Sequence, residues 1–311
     1  MTFSFTAGLP ALTFFPRSGD AGTQSPDHDT LINVFVALQM IGLIGSVALV
    51  LTTTLSSRAP RTPTWQNFFT SWIISTISYS LLLFAGQLRS RDPPFGVCLA
   101  QAGLIYGTPS LAAATTFGLV VQIWFSTQSL TAKKIPHERI WTLAILVLPY
   151  LVLFSMVLAS WVIGSNNPEL VKLIGSGMYC HIGPTGALGK VSATIVTILL
   201  LPTLVFEVLI CVSLRRNWST FRRMKNSLSI VLRVIIFSVI GVLAIVLSAI
   251  FVFSANEDHG ASVNIVLALI PVLAVIVFSS QRDIISVWMF WRPREGRTLG
   301  SSSSSKTAEQ V

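Results

Sequence analysis

The chain has 311 residues, of which 52% are hydrophobic and only 11% are charged, and its mean hydropathy is +0.72. So few charges could not keep the surface of a soluble domain hydrated, so the composition excludes an ordinary soluble protein and indicates a polytopic membrane protein. The net charge of +9 does not indicate nucleic-acid binding, because the basic residues form short clusters between apolar runs.

Residues 1–30 are a polar segment with Pro and Gly, which we expect to be an extracellular tail. The segment opens on an apolar patch without a basic stretch, which argues against a cleaved signal peptide.

Seven apolar stretches follow, and each is about as long as a helix that crosses a bilayer. We therefore predict an all-α fold, a seven-transmembrane-helix bundle over residues 31–279. The predicted spans are Leu31–Leu55, Trp65–Leu88, Val97–Phe125, Ile140–Ile163, Val191–Leu214, Ser229–Phe253 and Ala261–Ser279.

The distribution of Lys and Arg predicts the orientation of the bundle. With the N-terminus outside, basic residues on the inner side outnumber those on the outer side by roughly three to one, as the positive-inside rule requires. The one glycosylation sequon, at Asn217, then lies in a cytosolic loop and should stay unmodified.

The third span carries many hydroxyl, amide and small side chains, among them Gln101, Thr108 and Gly107. Polar groups are costly against lipid and small residues allow close helix approach, so we expect this span in the middle of the bundle.

Cys98 opens the third span, and Cys180 lies in the longest outer loop, residues 164–190. A disulfide between them would tie that loop across the top of the bundle, and the alternative is two unpaired thiols. Cys211, near the inner end of the fifth span, is expected to be a packing residue.

Glu207 is the acidic residue that lies well inside a predicted span, and such a carboxylate is a candidate for function. We expect a contact between Glu207 and Arg233 that joins helices five and six. The alternative is that Glu207 is protonated or turns toward Arg215 and Arg216.

Prolines interrupt helices three, four, five and seven, which suggests a bundle that can rearrange. Neutral polar groups in the outer half of the bundle predict a pocket for a small, weakly polar or apolar ligand. The residues expected to bind it are Gln87, Gln101, Tyr106, Thr108 and Asn264.

The four histidines lie in tails or loops, at no spacing typical of a metal site or a nucleophile–base pair. We therefore expect neither a catalytic site, nor a metal, nor a cofactor.

Residues 280–298 alternate aromatic and charged side chains, which predicts an amphipathic helix in the inner membrane interface. The alternative is that this segment prolongs helix seven. Residues 299–311, with a run of five serines, are expected to form a disordered cytosolic tail that is either unmodified or phosphorylated.

Seven spans, an outer N-terminus, the Cys98 and Cys180 positions, a basic third inner loop and the helix after span seven together resemble the G-protein-coupled receptor superfamily. The motifs of rhodopsin-like receptors are missing, since Gln122, Ile123 and Trp124 stand where those receptors carry an acid, Arg and an aromatic residue. The chain therefore resembles the divergent fungal-type and cyclic-AMP-receptor-like groups.

This resemblance implies a receptor in the plasma membrane that passes an extracellular ligand signal to a heterotrimeric G protein or another cytosolic partner. The residues expected to contact the partner are Arg215, Arg216, Arg222, Arg223 and Arg233. For these arginines the alternative is that they set the topology and attract anionic lipid. For the whole chain the alternative is a seven-helix transporter or carrier of a small molecule.

Overall fold

The computed structural model describes residues 26–56, 61–90, 92–129, 138–183, 187–216, 231–236, 238–243 and 260–289. Its helices are α1 (Pro26–Leu55), α2 (Pro63–Tyr79), α3 (Leu81–Phe84), α4 (Phe95–Ser129), α5 (Glu138–Asn166), α6 (Ala187–Arg216), α7 (Gly260–Ser279) and α8 (Arg282–Trp288). Strands β1 (Val171–Leu173) and β2 (Cys180–Ile182) form a short hairpin between α5 and α6. Residues 231–236 and 238–243 are also helical, and we call them the 231–243 segment.

In the described part of the chain, four helices, α1, α4, α5 and α6, are long and apolar enough to cross a membrane. The helical content confirms the all-α fold, and these four helices are consistent with an integral membrane protein. The 231–243 segment and α7 are apolar but shorter, and α2 buries several hydroxyl groups. The arrangement of seven spans stays a prediction.

The second predicted span, Trp65–Leu88, is wrong as a single helix. Helix α2 ends at Tyr79, the short α3 follows, and the chain then turns at Gly86, whose φ is +66°. A helix cannot continue through this left-handed backbone conformation, which glycine adopts without strain.

Helix α4 lies in the middle of the bundle, where it packs against α2, α5, α6 and both strands. The buried share of its apolar window is 67%, against 28% for α1 and 17% for each of α5 and α6. Its glycines allow close contact with α5: a Cβ at Gly103 would lie 2.7 Å from Trp161, and one at Gly107 would lie 2.7 Å from Leu153. The small residues of the third span therefore serve helix packing.

Helices α1 and α7 pack closely because α1 has two glycines on the contact face. A Cβ at Gly42 would lie 3.0 Å from Pro271, and one at Gly45 would lie 2.5 Å from Val275. Toward α8, the rings of Phe68 and Phe69 pack on Phe278 of α7 at centroid distances of 5.6 and 5.4 Å. We call the end of the bundle next to β1 and β2 the hairpin end, and the end next to α8 the α8 end.

We expect Gly45→Ala to destabilise the protein by about 1–3 kcal/mol, because the added methyl overlaps the stiff Val275 side chain. The matched control is Gly96→Ala on α4, where an added Cβ meets nothing within 4 Å. Thermal unfolding of the purified protein measures both variants. Equal melting temperatures for the two would contradict the close packing of α1 on α7.

Candidate functional site

The hairpin is fixed to α4 by a disulfide between Cys98 and Cys180, whose Cα atoms are 5.2 Å apart. The strands pair antiparallel, with Leu173 opposite Cys180. The bridge expected from the sequence is thus present in the structure, and it places the hairpin over the end of the helix bundle.

Two residues of α4 hold the same hairpin by hydrogen bonds. The Gln101 amide accepts a bond of 2.9 Å from the Cys180 N–H and donates to the backbone carbonyls of Ser78 and Tyr79 at 3.2 and 3.3 Å. The Tyr106 hydroxyl donates to the Ile182 carbonyl at 3.1 Å and accepts from its N–H at 3.2 Å. Both side chains therefore satisfy polar groups of the protein itself.

The turn of the hairpin inserts two side chains between helices. Met178 is 1% exposed and packs on Ile32 and Phe35 of α1 and on α7. The ring of Tyr179 lies 5.6 Å from Tyr79 of α2 and 6.4 Å from Phe35. Because these contacts reach α1, α2 and α7, we call Met178 and Tyr179 the hairpin plug.

A polar contact ties the plug to α7. The Tyr179 hydroxyl donates to Asn264 Oδ1 at 3.0 Å, and the Asn264 amide donates to the Ser176 hydroxyl at 3.2 Å. Burial, with a smaller contribution from Tyr106, raises the pKa of Tyr179 to about 12, against the opposing effect of the Asn264 hydrogen bond. The phenol is therefore neutral at physiological pH.

Next to the plug lies a cavity of about 230 Å³ lined by residues of α1, α2, α4, α6, the 231–243 segment and α7. It includes Thr108 and Asn264 of the predicted ligand residues, whereas Gln87, Gln101 and Tyr106 are outside its lining. The lining residues are Phe35, Gln39, Trp72, Ser75, Tyr79, Thr108, Pro109, Ala112, Ala113, Thr116, Val196, Leu200, Thr203, Ser238, Gly241, Val242, Asn264, Leu267, Ile270 and Pro271.

The described residues of the cavity wall are uncharged, but two of them have polar atoms with unmet hydrogen-bonding capacity. Gln39 Oε1 and Thr108 Oγ1 are buried and have no hydrogen-bond partner among the described residues. Each buried polar atom left without a partner costs free energy, so these atoms favour an occupant that can bond to them.

Two of the interrupting prolines, Pro109 of α4 and Pro271 of α7, line the cavity. Proline has no N–H, so the carbonyl four residues earlier lacks its helical partner. These carbonyls belong to Ile105 and Leu267. Both helices thus have a weakened point at the level of the cavity.

At the α8 end, an ion pair joins Arg61, two residues before the start of α2, to Asp283 of α8. Arg61 Nη2 donates to Asp283 Oδ2 at 2.9 Å and also to the Gln281 side chain, and the Arg61 side chain is only 9% exposed. Arg233 of the 231–243 segment donates to the Ser280 carbonyl at 2.9 Å. We call Arg61, Arg233, Ser280, Gln281 and Asp283 the α8-end cluster.

The expected contact between Glu207 and Arg233 is not formed. Arg233 bonds to Ser280, while Glu207 lies beside Ser238 with its Oε1 lacking a hydrogen-bond partner in the described part of the chain. Ser238 is five residues beyond Arg233, about 7.5 Å along a helix. The sequence estimate therefore placed Arg233 at the level of Glu207, whereas Ser238, more than one helical turn further along the chain, occupies that level.

Of the arginines expected to contact a partner, Arg215 and Arg216 are exposed at the end of α6, and Arg233 is half-buried in the α8-end cluster. Arg222 and Arg223 lie outside the described residues, as do Asn217, the serine run and residues 290–298 of the predicted amphipathic helix.

Sequence reasoning missed Arg61 and Gln281 of the α8-end cluster and Gln39 of the cavity. Each is a polar side chain beside or within an apolar stretch, and this position was the sequence signal that it needs a hydrogen-bond partner. Their partners lie on distant segments, so spacing along the chain could not pair them.

No protein family matches this chain. No curated protein sequence is similar to it either.

We expect Gln101→Ala to destabilise the protein by about 1–3 kcal/mol, because it leaves the buried Cys180 N–H without a partner. Gln87→Ala is the matched control, since Gln87 is half-buried and lies outside both the hairpin contacts and the cavity lining. Melting temperatures of the two variants test this. Equal effects would show that Gln101 does not hold the hairpin.

We expect docking of the plug to weaken as pH rises from 10 toward 12. An undocked tyrosine ionises near its ordinary pKa of about 10, whereas the docked Tyr179 keeps its proton until about 12. The stability that docking contributes is full below pH 10 and decreases progressively as the pH rises from 10 to about 12. The melting temperature of Tyr179→Phe should therefore fall less steeply over this range than that of the parent protein. Parallel curves would contradict the buried phenol.

Proposed function

We propose that the chain is a seven-span, receptor-like membrane protein of the plasma membrane, with its N-terminus and the hairpin end outside. In this proposal a small ligand in the cavity changes the helix bundle, and the bundle passes the change to a cytosolic partner at the α8 end. The observation that carries the proposal is the cavity itself, which lies between the helices, beneath a disulfide-anchored hairpin.

Helix α7 connects the cavity to the α8 end. Pro271, Ile270 and Leu267 of α7 line the cavity, and Ser280 and Gln281, just after the helix, contact Arg233 and Arg61. A ligand that prefers one bend of α7 at Pro271 would shift the population toward one arrangement of these contacts. The chain therefore offers a continuous physical link between a ligand site and the opposite end of the bundle.

The proposed partner surface comprises the exposed Arg215 and Arg216 at the end of α6, together with Arg222 and Arg223 of the inner loop that the sequence predicts. A cluster of positive charge favours an acidic surface on a heterotrimeric G protein or a similar cytosolic partner. The same charges also favour anionic lipid, so the test must separate the two.

Nucleotide exchange by co-reconstituted G proteins tests the proposal. We expect exchange above background with the parent protein, and less with a variant in which Arg215, Arg216, Arg222 and Arg223 are replaced by Gln. The matched control replaces Arg89 and Lys172, basic residues of the hairpin end, by Gln. The lipid composition is identical in all samples, with and without anionic lipid.

Exchange that falls only in the α6-end variant, in neutral lipid as well, supports partner binding. Equal exchange by all variants, or a fall that occurs only in anionic lipid, contradicts it. A cavity lined by prolines that interrupt two helices also suits a carrier, which is the second candidate function. Flux of a small solute across proteoliposomes without any nucleotide exchange would favour that candidate.

A further inference from the structure

Toward the hairpin end, the described part of the cavity wall is in contact with the plug. Phe35, Tyr79 and Asn264 all line the cavity, and each of them contacts Tyr179 of the plug. Met178 fills the space next to them and is 1% exposed. A water-soluble ligand coming from this side would have to displace both plug residues.

The hairpin that carries the plug is strongly held. The Cys98–Cys180 disulfide joins it covalently to α4. Gln101 and Tyr106 of α4 add hydrogen bonds to Cys180 and Ile182, both in β2. Displacing the plug breaks the Tyr179–Asn264 bond and exposes buried apolar surface. Entry past the hairpin is therefore unfavourable.

The chemistry of the wall selects against charge. No Asp, Glu, Lys, Arg or His is among the lining residues in the described part of the chain. An unpaired charge in such a site is very costly, whereas a hydroxyl or N–H on an apolar molecule can bond to Gln39 Oε1 or Thr108 Oγ1.

The cavity wall leaves unfilled space beside Gly241 of the 231–243 segment. A Cβ added there would meet no described atom within 4 Å. A cavity of 150 Å³ holds benzene, so 230 Å³ corresponds to an occupant of roughly nine non-hydrogen atoms.

We propose that the cavity takes a small, uncharged, lipid-soluble molecule with a hydroxyl or other hydrogen-bond donor, and that this molecule enters from the lipid phase. The proposal rests on the proposed function only for the presence of a natural ligand in the cavity. Its tests measure occupancy and access, so they are independent of signalling.

The first test uses benzyl alcohol as the probe on the full chain in lipid nanodiscs. We expect benzyl alcohol to raise the melting temperature of the parent protein with increasing concentration, as binding to the folded state does. Benzoate and benzylammonium, its charged relatives, should have no such effect. The control is Gly241→Leu, which fills the cavity from the position where an added Cβ meets nothing within 4 Å.

Two results would overturn the ligand class. An equal effect of benzyl alcohol on the parent and on Gly241→Leu would show an action on the membrane alone. Stabilisation by benzylammonium that Glu207→Gln abolishes would show that the cavity takes a cation, because Glu207 lies beside the lining residue Ser238.

The second test measures access from water with a charged methanethiosulfonate reagent. Ala113→Cys, in a Cys211→Ser background, places a thiol on the cavity wall, and Arg89→Cys places one on the exposed hairpin end as the control. We expect the wall thiol to react at least about tenfold more slowly than the control, because an open minor state holds at most about a tenth of the population.

Removing the plug by Met178→Ala and Tyr179→Ala should abolish most of that rate difference, because the wall thiol then reacts faster. A wall thiol that reacts as fast as the control in the intact protein would show that the cavity is open to water. A wall thiol that stays slow without the plug would show that Met178 and Tyr179 do not close it. The first result would overturn entry from the lipid phase, and the second would overturn the role of the plug as the barrier to water. Neither depends on a G protein.

Discussion

The structure depends on how α4 satisfies its polar groups at the centre of the helix bundle. Near the hairpin end, Gln101 and Tyr106 take backbone partners from the hairpin, and Cys98 adds a covalent bond. In the middle, Thr115 donates to Ser71 of α2 at 2.9 Å. Thr108 is left without such a partner, and it lies at the cavity. An α4 hydroxyl that lacks a partner among the described residues therefore borders the cavity, where an occupant could bond to it.

Local features of the chain were predictable from the sequence because they arise from short-range physics. Most of the apolar stretches form one long helix each, Trp65–Leu88 being the exception, and small residues mark the faces where α4 meets α5 and α1 meets α7. The disulfide was predictable from topology, since both cysteines were expected at one end of the bundle.

Partners of polar side chains were not predictable in the same way. Gln101 and Tyr106 were identified as polar groups that need partners, but the sequence does not distinguish a ligand from a backbone segment about 80 residues away. Glu207 and Arg233 were paired from estimated depth, and an error of one turn in either helix is enough to change the neighbour. Of the predicted ligand residues, Thr108 and Asn264 line the cavity, since each belongs to a helix face that borders it.

The bonds of α8 have a consequence for how the bundle can move. Trp288 donates to Thr52 of α1 at 2.8 Å, and Asp283 is paired with Arg61, so α8 is attached to α1 and to the start of α2. The backbone bonds at the junction of α7 and α8, from Ser280 and Gln281, are both long at 3.4 Å. Since α8 is held by α1 and the start of α2, a bend of the α8 end of α7 would be absorbed at Ser280 and Gln281, where the backbone hydrogen bonds are longest.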